Sequence, residues 1–165
     1  MIKIIIAFWL AIISPHSIAQ DPVSQFICNF NKKLTVSECD HIAAMIRVAA
    51  KDDQKMVLHA TAVAGIESGF QHQVKSRGGA GLMQITKIHY PKLEGQSPIA
   101  IGPNLIVGIG ILRACMEKSK SGSAEKMFAC YNGGGTKGYA RNALAFERKV
   151  SSYIATVQKP IAVLQ

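Results

Sequence analysis

The sequence predicts a compact, mostly α-helical domain, and three observations carry that expectation. Apolar residues recur at helical spacing in separate stretches, among them Ile42, Met45, Ile46 and Ala49, which places them on one helix face. Helix-start chemistry precedes such stretches, as in Thr35 and Glu38, a capping-box pair in which each side chain satisfies a free backbone donor. Alternation of β-branched residues, the mark of half-buried strands, is nearly absent, so any sheet is confined to the turn from Phe70 to Ala80.

Residues 1–19 have the pattern of a secretory signal, with Lys3 as the positive start, an apolar run from Ile4 to Ile13 and small residues at Ser17-Ile18-Ala19. Cleavage is expected after Ala19. The alternative, a membrane anchor, needs about 20 apolar residues, whereas this run stops at Ser14-Pro15-His16. Residues 20–165 then form a single domain of 165 − 19 = 146 residues, enough for one core. No membrane span is expected in that mature chain, which is assigned to the periplasm or the cell exterior as a monomer.

The net charge of +9, or +8 once Lys3 is removed, suits an anionic partner. Nucleic acid and cell-wall polymer both qualify. The basic residues are dispersed, with Lys32-Lys33 and Arg148-Lys149 the only adjacent pairs, so nucleic acid is not expected. Cys28, Cys39, Cys115 and Cys130 fit disulfides in an oxidising compartment. Three pairings are possible; Cys28 with Cys39 and Cys115 with Cys130 are favoured because the members lie near each other in sequence.

From Gln20 to Lys33 the chain is expected to be irregular and tethered by Cys28. A helix follows the Thr35 cap to about Ala50, and a second starts near Asp52 or Asp53 and runs through Ile66. That second helix is apolar on nearly every face, which places it centrally. A polar turn, Ser76-Arg77-Gly78-Gly79, leads to a short helix expected from Leu82 to about Ile88, and Tyr90 to Gly102 is expected to be loop. Pro103 suits a first helical position, and Asn104, Gly108 and Leu112 share one face of the helix it opens. Ser123 caps a helix carrying Met127, Phe128 and Tyr131 inward, which stops at Asn132-Gly133-Gly134-Gly135. The last helix spans about Tyr139 to Val157, and the tail beyond Lys159-Pro160 is peripheral.

Glu67 stands out because it closes the central helix. Burial and the negative end of the helix dipole both disfavour its carboxylate and raise its pKa, as a general acid working near neutral pH requires. The competing expectation is an acid that merely reaches solvent at a helix end. No second Asp or Glu occurs between Ser68 and Leu93. His41, His59, His72 and His89 have no ligand-like spacing, so neither a metal nor a cofactor is expected.

Four motifs in order carry a resemblance: Glu67-Ser68-Gly69-Phe70; Ser76 with Gly79-Ala80-Gly81-Leu82-Met83-Gln84-Ile85-Thr86; Asn104-x-x-x-Gly108-x-x-x-Leu112; and Tyr131-Asn132-Gly133-Gly134. Together they resemble the family 1, SLT-type, lytic transglycosylases, with the motif core at about residues 56–157. The resemblance implies a lysozyme-like helical domain of the goose-lysozyme or SLT type. It implies cleavage of the β-1,4 bond between N-acetylmuramic acid and N-acetylglucosamine in peptidoglycan, leaving a 1,6-anhydro ring. Glu67 matches the single catalytic acid; Ser68, Ser76, Gly81, Met83, Gln84, Asn104, Tyr131, Asn132 and Tyr153 match substrate-site positions. Tyr131 matches the tyrosine whose hydroxyl lies against the acid. Core packing competes as the role of Met83 and of Tyr153, and helix capping as the role of Asn104. Glu147 is left out because its spacing to the late tyrosine does not fit. A goose-type hydrolase using water, or a non-catalytic wall-binding assembly protein, are the alternatives. Small members of that family accompany secretion systems, conjugation machinery or phage particles, or act as housekeeping enzymes.

Overall fold

A computed structural model describes residues 20–119, 122–134 and 136–159. The expected signal segment and the C-terminal tail lie outside these residues. Six α-helices and one 3-10 helix make up the described chain, and β pairing is limited to two isolated bridges that meet at Ala80, from Lys75 and from Ile85.

Helix α1 spans Pro22–Phe30 and corrects the expectation of an irregular segment. Asp21 accepts from the Val23 N–H, and Pro22 sits in the first turn, where its missing donor costs nothing. Val23, Phe26 and Ile27 then face inward. The Asp21 carboxylate also ion-pairs with Arg47, tying this start to α2. Helix α2, Val36–Ala50, begins with the predicted capping box, and helix α3, Gln54–Ser68, is capped by Asp53. Helix α3 is the centre of the molecule: it packs on α2, on α4 (Ile101–Lys118) and on α6 (Tyr139–Val157).

The helix expected from Leu82 does not form. Gly81 and Gln84 both adopt positive φ, at 78° and 47°, which breaks a right-handed helix and leaves a tight turn. A 3-10 helix follows at Lys87–Leu93, inside the expected loop. Helix α4 starts at Ile101, so Pro103 is third rather than first in it, still within the turn that needs no N–H from it. Helix α5, Ala124–Tyr131, is capped by Ser123 as expected. The stripe of α6 buries Ala143, Phe146 and Val150, while Val157 is exposed.

The aromatic rings of Phe26, Phe30, Phe70 and Phe146 cluster edge to face and lock α1, α6 and the turn after α3 together. Disulfides Cys28–Cys39 and Cys115–Cys130 join α1 to α2 and α4 to α5. Among the described residues, no helix is long and apolar enough to cross a membrane.

The Cys115–Cys130 bridge closes a segment with a sequence separation of 15, for which loop entropy contributes about 3 kcal/mol. A Cys115→Ala/Cys130→Ala variant is therefore expected to lose about that much stability in denaturant titration. A midpoint unchanged from wild type would show that α4 and α5 hold each other without the bridge.

Candidate active site

Helix α3 is buried along almost its whole length, from Met56 to Gly65. It ends at Gly69, which takes a left-handed conformation, and Glu67 is thereby held in the last turn where the interior meets solvent. The half-buried carboxyl has its pKa raised, chiefly because burial strips water from the charged form. The unpaired carbonyls of the helix end act in the same direction. One contact opposes them: the Tyr139 hydroxyl, at the first residue of α6, donates to Glu67 Oε1 at 2.5 Å. Burial, followed by the nearby Glu67 charge, raises the Tyr139 pKa so far that its hydroxyl remains a donor.

Glu67 opens onto a cleft of about 540 Å³. Ser76, Gly79, Gln84, Thr86, Ile88 and His89 line it on the side of the turn and the 3-10 helix. Opposite them stand Ile111, Cys115 and Lys118 of α4, then Cys130, Tyr131, Asn132 and Gly133 at the end of α5. Glu67 is the only carboxylate among the described lining residues.

The turn that forms the first wall is held from beneath by Asn104. This fully buried carboxamide donates to Ala80 O at 2.9 Å and to Pro98 O at 2.7 Å, and accepts from the Met83 N–H at 2.8 Å. All three are backbone groups of the chain entering or leaving the turn. Met83 packs onto Gly108, where a Cβ would overlap its side chain. Gly81, at φ 78°, has no room for a Cβ against Asn104 and the Pro98 carbonyl. Gln84 closes the turn by donating to Gly81 O at 2.9 Å and Val74 O at 3.2 Å. Ser76 Oγ accepts from the N–H groups of Gly78 and Gly79.

Of the residues singled out in the sequence, Ser76, Gln84, Tyr131 and Asn132 line the cleft with Glu67. Five others are not among its lining residues. Ser68 is buried and donates back to Ala64 O. Met83 is fully buried in the core, Gly81 is buried within the turn itself, and Asn104 neither caps its helix nor faces the cleft, since Ala100 is the cap residue. Tyr153 packs on the Phe26 ring and accepts from Asn29. The hydroxyl against the acid belongs to Tyr139; that of Tyr131 donates instead to Met83 O at 2.7 Å. Glu147, passed over in the sequence, pairs with the buried His59 at 2.7 Å and ties α6 to α3.

Thr86, Ile88, His89, Lys118 and Tyr139 were not expected at the site. Tyr139 carries the one readable signal: it follows the glycine-rich turn and opens an apolar helix, where a polar tip beside an interior needs a partner. Among the described residues, no group of His, Cys, Asp or Glu is arranged to hold a metal ion. The family model described as Transglycosylase SLT domain matches residues 44–153, well over half of the chain. No curated protein and no solved structure matches.

Two outcomes follow from this geometry. Asn104→Ala strands the Met83 N–H and the Pro98 carbonyl, while Ala80 O keeps the Ile85 N–H, and at roughly 1–3 kcal/mol for a buried group left unsatisfied the variant is expected to be destabilised by about 3 kcal/mol in urea titration. Tyr139→Phe removes the hydrogen bond that favours the carboxylate, so the Glu67 pKa is expected to rise further. Carboxyl ¹³C NMR titration measures this directly, and a Glu67 pKa that fell instead would mean that the Tyr139 hydroxyl does not favour the carboxylate.

Proposed function

The chain belongs to the SLT transglycosylase family of the lysozyme-like superfamily, peptidoglycan-cleaving lytic transglycosylases, and from that premise we propose that Glu67 is its single general acid and base. The bond cut is the β-1,4 link from N-acetylmuramic acid to N-acetylglucosamine. The observation that carries this proposal is the lone carboxylate of the cleft. Ordinary glycoside hydrolysis uses two carboxyl groups flanking the bond, one to protonate the leaving oxygen and one to activate water or attack the sugar. A sugar that supplies its own nucleophile needs only one.

The proton and bond changes then balance within a single residue. The protonated form of Glu67, which burial favours, donates to the glycosidic oxygen as the C1–O bond breaks and positive charge develops at C1. The resulting carboxylate takes the proton of the C6 hydroxyl as that oxygen bonds to C1. The 1,6-anhydro ring closes, and Glu67 is again protonated. Tyr139 supports both stages, because its hydroxyl hydrogen bond to Oε1 stabilises the transient carboxylate without supplying a full charge. Gln84, Ser76 and Asn132, together with the exposed backbone at Gly78, present the polar groups along which a glycan strand lies, and Tyr131 forms part of the cleft wall.

Residues 1–19 direct export in this proposal, which places the enzyme with its polymer in the periplasm or outside the cell. Its two disulfides suit that compartment. The single domain of residues 20–165 acts as a monomer to open the wall locally, as during secretion, conjugation or phage entry.

Mass spectrometry of digested glycan strands tests the chemistry: anhydromuramoyl ends are expected, and products heavier by one water would assign hydrolysis instead. Glu67→Gln is expected to lower the rate by about 10²- to 10⁴-fold, the usual contribution of a general acid. Wall binding without cutting by the wild type would favour an assembly protein. The same variant has a stability signature. A carboxyl whose folded pKa exceeds its unfolded value favours the fold below the unfolded pKa, and that contribution is lost as pH rises through the folded value. Relative to wild type, Glu67→Gln is therefore expected to gain thermal stability as pH increases above the ordinary glutamate range.

A further inference from the structure

The cleft contains a charge that a glycan strand has no use for. Ile111, Cys115 and Lys118 lie along one face of α4 and line the cleft, with Lys118 about 10 Å along the helix from Ile111 at 1.5 Å per residue. Lys118 is exposed and forms no ion pair or hydrogen bond among the described residues. It is also the only described lining residue with a full positive charge at neutral pH. The other basic side chain there, His89, has its pKa lowered by burial and by Lys92, which keeps its ring neutral.

Lys118 is not the electrostatic partner of Glu67 either. The influences on that carboxyl are burial and the Tyr139 hydrogen bond, with no contribution from Lys118. An ammonium close enough to matter would lower the acid's pKa and spoil it as a proton donor. The cation therefore belongs to the cleft without acting on the charge of Glu67.

N-acetylglucosamine and the sugar ring of N-acetylmuramic acid are uncharged. In peptidoglycan the anions are the carboxylates of the stem peptide, which hangs from the lactyl group of every muramic residue. We propose that Lys118 binds a stem-peptide carboxylate, so that the enzyme distinguishes strands with ionised stems from strands whose stems carry no free carboxylate. This rests on the cleavage proposed above and adds to it the class of strand that is preferred. An ammonium is suited to the task, since a flexible stem and a rotatable point charge can meet without a fixed bidentate geometry.

The test uses the full mature enzyme on two substrates: glycan strands carrying their stems, and the same strands with the free stem carboxylates converted to primary amides, which keeps the stem and removes its negative charge. Lys118→Gln is expected to lower kcat/KM on strands with ionised stems by about fivefold to tenfold, the effect of one charge-assisted hydrogen bond near solvent, and to leave the amidated strands unaffected. Lys118→Glu is expected to lower it further on strands with ionised stems, and Lys118→Arg to restore most of it. Raising the salt concentration should shrink the wild-type preference. Equal losses on both substrates, or no loss on either, overturn the assignment while leaving the cleavage chemistry intact. A wild type that cuts neither strand overturns the cleavage itself, and the role of Lys118 with it.

Discussion

Burial of α3 on nearly every face is the constraint on which the rest of the structure depends. A helix without a solvent face must be enclosed, and α2, α4 and α6 do so. Its ends are then the only places where it can meet water, and Glu67 stands in the last turn at one of them. A carboxyl on an amphipathic surface helix would be hydrated and ordinary. Here the same packing that stabilises the fold raises the acid's pKa. Stability and chemistry are in this sense opposed at one residue, because ionising Glu67 removes a favourable contribution to folding.

The second wall of the problem is the turn from Gly79 to Gln84, which has little regular structure to hold it. Two isolated bridges at Ala80 cannot fix such a segment alone. Asn104 replaces the missing ladder, binding three backbone groups with one side chain. It can do so only because Gly108, one turn further along α4, lets Met83 settle against the helix. The motif spacing Asn-x-x-x-Gly is thus a statement about backbone support. None of these residues lines the cleft, yet Gln84 and the Gly79 backbone owe their positions to them.

The difference explains what the sequence could and could not disclose. Periodicity and caps located α2, α3, α5 and α6 closely, since Thr35, Asp53 and Ser123 act locally on the backbone that follows them. Helix α1 was hidden because its start depends on Asp21 and Pro22, which read equally as a turn. At the turn, Leu82 and Met83 carry good helix propensity, but tertiary hydrogen bonds from Asn104 outweigh it. The acid was legible from its helix, whereas its partner was not. Tyr139 and Tyr131 are eight positions apart on different helices, and only the angle between α5 and α6 decides which hydroxyl reaches Glu67.

That choice of partner has a chemical consequence. A lysine or arginine at the position of Tyr139 would hold Glu67 ionised, leaving nothing to protonate the departing oxygen. An apolar residue there would leave the carboxylate that the proposed mechanism forms without this partner, at the cost of a half-buried charge less well satisfied. A tyrosine hydroxyl lies between these limits. Its own proton is held fast by burial and by the Glu67 charge, so it lends a hydrogen bond and never competes as an acid. The Glu67–Tyr139 pair can therefore pass through both protonation states of the glutamate while the net charge of the site changes at one carboxyl group only, which is what the proposed role of a single residue as acid and then as base requires.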